Sequence, residues 1–263
     1  MDIKLFVDIA EQAGQRTLKY FGQNPEVYTK SDQSPLTQAD LEADAYIVEH
    51  LKVLWGHIPI VSEEAADHDA LQSQLQGKAT YFLVDPLDGT KEFVNNRPGF
   101  TVNIALIKAG IPVMGVVHAP VLETTYYAER GHGAWKKTSQ GLEQIFCSSH
   151  DGERALHVIA SRSHRDEKTE QFLNQIDLKE PVAIGSSLKF CLLAEGKADV
   201  YPRFGPTMEW DVAAGDCVYR NAGHEEQNPS PFVYNKAGFR NGPFIIGSIS
   251  PPIKVLFDTL VDG

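Results

Sequence analysis

The chain is 263 residues long, carries a formal net charge of −11 and is 42% apolar. That length and apolar content suit one large core or two tightly joined domains, while the acidic balance argues against a nucleic-acid polymer as partner, because non-specific binding of that kind rests on basic surface. Cys147, Cys191 and Cys217 are odd in number and widely spaced, without metal-ligand spacing, which disfavours a disulfide framework.

The first 21 residues place Ile3, Phe6, Ile9, Ala13 and Leu18 at near-helical spacing among charges, the pattern of an amphipathic helix and not of a signal peptide. No apolar run approaches the ~20 residues of a membrane span. The expected setting is the cytoplasm, with peripheral association with the cytoplasmic face of the inner membrane left open. Thr37-Gln38-Ala39-Asp40 reads as a capping box before a second helix whose apolar positions include Leu41, Val48, Leu51 and Trp55. Capping alone is sufficient to account for Thr37 and Asp40.

A short apolar strand at 58–61 ends at Ser62, Glu63 and Glu64, and another at 81–84 ends at Asp85-Pro86-Leu87-Asp88-Gly89-Thr90. Pro86 restricts the backbone and Gly89 permits a tight turn, so two carboxylates and the Leu87 carbonyl can be folded back toward one point. Mg²⁺, a hard ion that takes oxygen ligands, suits such a set. A polar turn after a buried strand suits the same residues. Strands follow at 101–108, 113–118 and 124–128, with Gly110, Gly131 and Gly133 as turn punctuation. Beyond a boundary expected within 147–154, strands at 156–160, 182–184 and 199–201 alternate with helices at 166–176, 187–195 and 210–221. The last helix starts at Glu209-Trp210-Asp211, where an aspartate complements the helix dipole and caps free amides. It also makes a third strand-end or helix-start segment that delivers acids, and α/β folds gather such termini into one cleft. The stretch 225–263, punctuated by Pro and Asn, is the least readable.

A wider set of segments carries a resemblance. Lys30-Ser31-Asp32, Ser34-Pro35-Leu36-Thr37, Ala39-Asp40, Ser62-Glu63-Glu64, the run from Leu83 to Phe93 and the run from Phe100 to Ile107 open the series. Ser161-Arg162-Ser163-His164, Gly185-Ser186-Ser187-Leu188-Lys189-Phe190-Cys191 and Tyr201-Pro202-Arg203-Phe204-Gly205-Pro206-Thr207 with Trp210-Asp211 complete it. In this order they resemble the inositol monophosphatase superfamily of Mg²⁺-dependent, lithium-sensitive phosphatases, and within it the CysQ-type 3'(2'),5'-bisphosphate nucleotidases. The resemblance covers nearly the whole chain. It implies a layered αβαβα sandwich, with the metal cleft between an α+β half (residues 1–150) and an α/β half (residues 151–263).

The resemblance further implies that Glu63, Asp85, Asp88, Asp211 and the Leu87 carbonyl hold two or three Mg²⁺ ions. Asp40 and Thr90, assisted by Glu63, would orient and help deprotonate the attacking water. Glu63, Leu87, Asp88, Gly89, Thr90 and Asp211 would face the substrate, while His164, Ser186, Lys189 and Arg203 would surround the nucleotide and the phosphate that is not cleaved. Read without the resemblance, Lys189 is equally a solvated helix residue and His164 equally the end of a strand. The implied reaction converts adenosine 3',5'-bisphosphate to AMP and phosphate, with 3'-phosphoadenylyl sulfate as a further candidate substrate, and serves sulfate assimilation. The rival readings are an inositol monophosphatase or fructose 1,6-bisphosphatase activity, and a non-catalytic nucleotide- or metal-binding regulator. The expected partner is a small phosphorylated nucleotide, and the oligomeric state stays open.

Overall fold

The computed structural model describes residues 1–263 apart from 24, 31–34, 149–153, 162–165 and 225–229. The chain opens with the amphipathic helix α1 (Ile3–Leu18), capped by the Asp2 carboxylate on the Lys4 N–H. A short hairpin of β1 (Val27–Thr29) and β2 (Pro35–Thr37) leads into α2 (Gln38–Trp55), which starts on the expected capping box. The chain continues through β3 (Ile60–Ser62), α3 (His68–Gln74), β4 (Thr80–Asp88) and the five-residue α4 (Thr90–Val94). An antiparallel meander follows: β5 (Thr101–Lys108), β6 (Ile111–Ala119), β7 (Thr124–Glu129), β8 (Ala134–Thr138) and β9 (Gly141–Ile145). Strands β3 to β9 form one seven-stranded sheet in sequence order, parallel only between β3 and β4.

This sheet is apolar on both faces because each has helices laid on it, and side chains alternate between them. Phe82, Val84, Ile104 and Leu106 meet Phe6, Ile9, Ala43 and Ile47 of α1 and α2. Tyr81, Leu83, Ala105 and Ile107 belong to the opposite core, shared with α6 (Leu188–Ala194) and α7 (Glu209–Tyr219). A further layer is built from β10 (Ile159–Ser161), which pairs in parallel with β11 (Val182–Ile184), and from β12 (Val200–Arg203), which pairs with β15 (Phe244–Gly247). A bridge between Val158 and Val200 links these two ribbons. Helices α5 (Glu167–Leu173) and α8 (Pro251–Asp262) cover the outside through Phe172 and Phe257, which close on Phe204. The order helix, sheet, helix, sheet, helix is the expected αβαβα sandwich. Among the described residues no helix is long and apolar enough to cross a membrane.

Two local expectations need correction, and one unread stretch gains its elements. Leu41 is exposed, because the buried row of α2 is Ala39, Ala43, Ile47 and Leu51, and a residue two positions from that row points about 200° away from it. The Asp85-to-Asp88 segment is not a turn after the strand but the end of β4 itself. Its pairing moves from Asp85 opposite Asn103 to Asp88 opposite Thr101, one residue more on β4 than on β5. That is a bulge, a place where a strand tolerates Pro86 and re-aims its side chains. The stretch beyond 225 contains β14 (Arg240–Asn241), which pairs with β13 (Thr207–Met208), then β15 and α8; the helix begins with Pro251 in its first turn, where a missing N–H costs nothing.

Candidate active site

The bulge in β4 creates the centre of the site. Asp85 is buried, and its carboxylate accepts the N–H of Leu87 at 3.1 Å. Gly89 then takes φ +92°, a left-handed value that a side chain would resist, and starts α4 at Thr90. The Thr90 hydroxyl lies 3.3 Å from Asp40 Oδ1 and 3.3 Å from the Leu87 carbonyl oxygen. Asp40 Oδ2 meanwhile accepts the N–H and the hydroxyl of Thr37 at 2.8 and 2.6 Å. Capping and the contact with Thr90 therefore coexist, one on each carboxylate oxygen. Burial holds the Asp40 carboxyl up at about 6, against the lowering effect of the Thr37 hydrogen bonds.

Acids from three elements converge beside it. One ligand oxygen each from Glu63 (after β3), Asp85 (β4) and Asp211 (α7) lie within 4.8 Å of one another. Asp211 also accepts the Met208 N–H at 2.7 Å, so its helix-start role is real as well. Burial pushes the Asp85 and Asp211 carboxyls well above the usual range, and their acidic neighbours push in the same direction. Lys30 supplies one positive charge, with its ammonium 2.8 Å from Glu63 and 2.7 Å from Glu64. Three carboxylates this close ionise together only against further positive charge. An all-oxygen set of this kind fits a hard divalent cation.

Asp88 lies outside that trio. Its Oδ2 accepts Ser187 Oγ at 2.9 Å and Asn103 Nδ2 at 3.3 Å. In the same cleft, Lys189 is buried on α6 with its ammonium 2.5 Å from the Ser186 carbonyl oxygen, and Ser186 itself holds φ +52°. The Lys189 ammonium is depressed to about 8, chiefly by burial, with Asp88 opposing and the Arg203 cation adding to the shift. Arg203 is half-buried and donates to the carbonyls of Gly205 and Pro206, each at 3.2 Å. Lys189 and Arg203 line one cleft of ≈ 1150 Å³ together with the acids, near enough to each other and to Asp211 to interact electrostatically, and two cations in one cleft form a place for an anion. Glu63, Asp85, Leu87, Asp88, Gly89, Thr90, Ser186, Lys189, Arg203 and Asp211 all line this one cleft. Asp40 sits behind Thr90, and His164 lies outside the described residues.

The sequence model of the inositol monophosphatase family matches residues 2–243. The chain belongs to the inositol monophosphatase family. The Salmonella typhimurium protein named 3'(2'),5'-bisphosphate nucleotidase CysQ is 46% identical over 241 residues, covering 90% of this chain and 95% of that protein. The solved structure of CysQ from Bacteroides thetaiotaomicron, described as a bacterial member of the same family, is 36% identical with a TM-score of 0.78, covering 94% of this chain and 97% of its own. A Thermotoga maritima IMPase structure has a TM-score of 0.81 at 22% identity, with 98% of this chain and 97% of that one covered, and so shares the fold. Enzymes of this family are metal-dependent phosphatases, which agrees with the chemistry of the acid cluster.

Within this family site, four contributors carried no role in the sequence reading: Lys30, Glu64, Asn103 and Ser187. Asn103 did leave a signal, being an amide in the middle of the apolar run of β5. Ser187 and Lys30 left none of their own, because their contacts join residues 99 and 33 positions apart.

Proposed function

We infer that this chain is a 3'(2'),5'-bisphosphate nucleotidase that hydrolyses adenosine 3',5'-bisphosphate to AMP and phosphate, clearing a by-product of sulfate assimilation. One observation carries the reading: the acid trio Glu63, Asp85 and Asp211 and the cations Lys189 and Arg203 line a single cleft. A substrate with two phosphates uses both sets of side chains, one phosphate at the acids through bound cations and the other at the bases. The 46% and 36% identities to proteins named CysQ support this substrate class. The inositol phosphatase neighbour at 22% identity supports the fold and no particular substrate.

Glu63, Asp85, Asp211, Asp88 and the Leu87 carbonyl would hold two or three Mg²⁺ ions. Bound Mg²⁺ supplies neutralisation of the entering and leaving oxygens and acidifies water in the cleft. The protein's own part is positioning, as phosphoryl transfer mainly requires. The Thr90 hydroxyl, donating to Asp40, keeps its lone pairs free to accept a hydrogen bond from the attacking water and so orients it. The ionised Asp40 then draws the proton away along that bond. Lys189, Ser186 and Arg203 hold the spectator phosphate, and the bidentate reach of Arg203 suits it to that role. On this reading residues 1–150 bring most of the cation ligands, and residues 151–263 bring the recognition of substrate.

The test is phosphate release from adenosine 3',5'-bisphosphate, inositol 1-phosphate and fructose 1,6-bisphosphate, each with Mg²⁺ and with EDTA. The reading predicts preference for the nucleotide, abolished by EDTA. Preference for a sugar or inositol phosphate would overturn the substrate assignment, and release that survives EDTA would overturn the metal assignment.

A further inference from the structure

We propose that Ser187 and Asn103 are positioning residues for the cation site: together they occupy Asp88 Oδ2, turn Asp88 Oδ1 to the cation, and tie the ligands of the two halves of the cleft to one another. The inference rests on the acid cluster being a Mg²⁺ site. Ser187 and Asn103 are each about 1% exposed. A buried hydroxyl and a buried amide are costly unless their hydrogen bonds are made, and theirs run to the site. Ser187 Oγ is 2.9 Å from Asp88 Oδ2 and 2.7 Å from the main-chain oxygen of Asp211, and it accepts Asn103 Nδ2 at 2.9 Å. Asn103 Nδ2 also reaches Asp88 at 3.3 Å, and Asn103 is the cross-strand partner of Asp85. The serine thus touches a residue of β4 and a residue of α7, the two elements that bring Asp85 and Asp211 together.

The chemistry sets a direction. Ser187 has one proton, shared between the Asp88 carboxylate and the Asp211 carbonyl oxygen, and the carboxylate draws the larger part, since a charge-assisted hydrogen bond exceeds a neutral one. With Oδ2 committed to two donors, Oδ1 remains to ligate. Asn103 Oδ1 finds no hydrogen-bond donor among the described residues, so the amide in β5 is not there to satisfy the core. A leucine there would spare that desolvation. What the amide adds is a donor aimed at Asp88. Outer hydrogen bonds of this kind orient ligating carboxylates, and their loss weakens metal binding by about 10–100-fold.

The experiment is calorimetric titration of the metal-free full chain with MgCl₂, comparing the parent with Ser187→Ala and Asn103→Leu. Both variants are expected to bind Mg²⁺ at least about 10-fold more weakly, with their unfolding temperature in EDTA unchanged. At saturating Mg²⁺ the KM for adenosine 3',5'-bisphosphate should hold while kcat falls, since the altered groups touch the ligand set and not the spectator phosphate. A purely structural role would instead lower the unfolding temperature in EDTA and spare the Mg²⁺ affinity, and equal affinity in parent and variants overturns the proposal. If Ser187→Ala does not fold, Asn103→Leu, which removes the donor without emptying its volume, decides alone. A parent chain that binds no Mg²⁺ overturns the proposal too, whereas Mg²⁺ binding without nucleotide hydrolysis overturns only the nucleotidase reading.

Discussion

Thr90 and Asp40 are the residues on which turnover, as distinct from binding, should depend. Thr90→Ala removes the hydroxyl that lies 3.3 Å from Asp40 while leaving the acid trio intact. It should lower kcat by roughly 10²–10⁴-fold and leave the Mg²⁺ dissociation constant nearly unchanged, as stopped-time phosphate assays paired with calorimetry would read. Unchanged kcat would remove the pair from the reaction. On the proposed function Arg203 serves recognition. Its guanidinium is held by the Gly205 and Pro206 carbonyls and lies near Lys189, and a charge-assisted contact to phosphate is worth about 1.5–3 kcal/mol. Arg203→Ala should therefore raise KM for the bisphosphate roughly 10- to 100-fold and raise it far less for a nucleoside monophosphate. Equal losses on both would place Arg203 outside the substrate pocket. At this scale the acids were readable from sequence because each sits where a strand ends or a helix begins. Ser187 was not, and Asn103 showed only as an amide within an apolar run, since a single polar residue shows its purpose only when the chain brings its partner alongside.

The element that matters most is α7, which carries Asp211 and is wedged between the large sheet and α6. It lies so close to β6 that a Cβ added at Gly115 would come within 2.6 Å of the Cys217 Cβ and 2.8 Å of the Ala214 carbonyl oxygen. Gly115→Ala should accordingly destabilise the fold by about 1–3 kcal/mol, as overpacking does, which urea denaturation would measure. The same variant should weaken Mg²⁺ binding, because relief of the clash moves the helix that presents Asp211; a loss of stability with unchanged Mg²⁺ affinity would show that α7 does not shift. The strands legible in the sequence were those covered on both faces, whose runs are almost wholly apolar, such as β5. β8 and β9 were missed because they lie at the far edge of the sheet, where Lys136, Lys137 and Glu143 replace the apolar run. The bulge in β4 was read as a turn, since Pro86 and Gly89 are turn residues and only the register with β5 reveals that pairing resumes at Asp88.

For the whole molecule, the acid cluster sets a balance between folding and function. In the metal-free chain Asp40 is raised to about 6 and Glu64 to about 7, and Asp85 and Asp211 are raised as well, all chiefly by burial. A raised carboxyl binds a proton in the folded state that the unfolded chain releases, so its stabilising effect is present below about pH 4 and is lost as pH rises through 6 to 7. His118, depressed to about 4 by burial, acts in the opposite sense and favours the folded chain as pH rises. With these acids joined by Asp44, Asp88 and Asp216, which burial raises likewise, against His118 and the lowered carboxyl of Glu195, stability in EDTA should fall between about pH 4 and 7. Saturating Mg²⁺ should cancel that fall and add about 2.7 kcal/mol at 100 times its dissociation constant, as thermal unfolding across pH would record. A stability curve in EDTA that rises with pH would contradict this picture of the site.

On the proposed function the acid trio and its cations act on one phosphate while Lys189 and Arg203 hold the other. Phosphorus NMR of adenosine 3',5'-bisphosphate turning over on the Mg²⁺-loaded protein tests it most directly, because it shows which phosphate leaves. Inorganic phosphate and 5'-AMP should grow together; the appearance of 3'-AMP, or no release at all, would overturn the assignment.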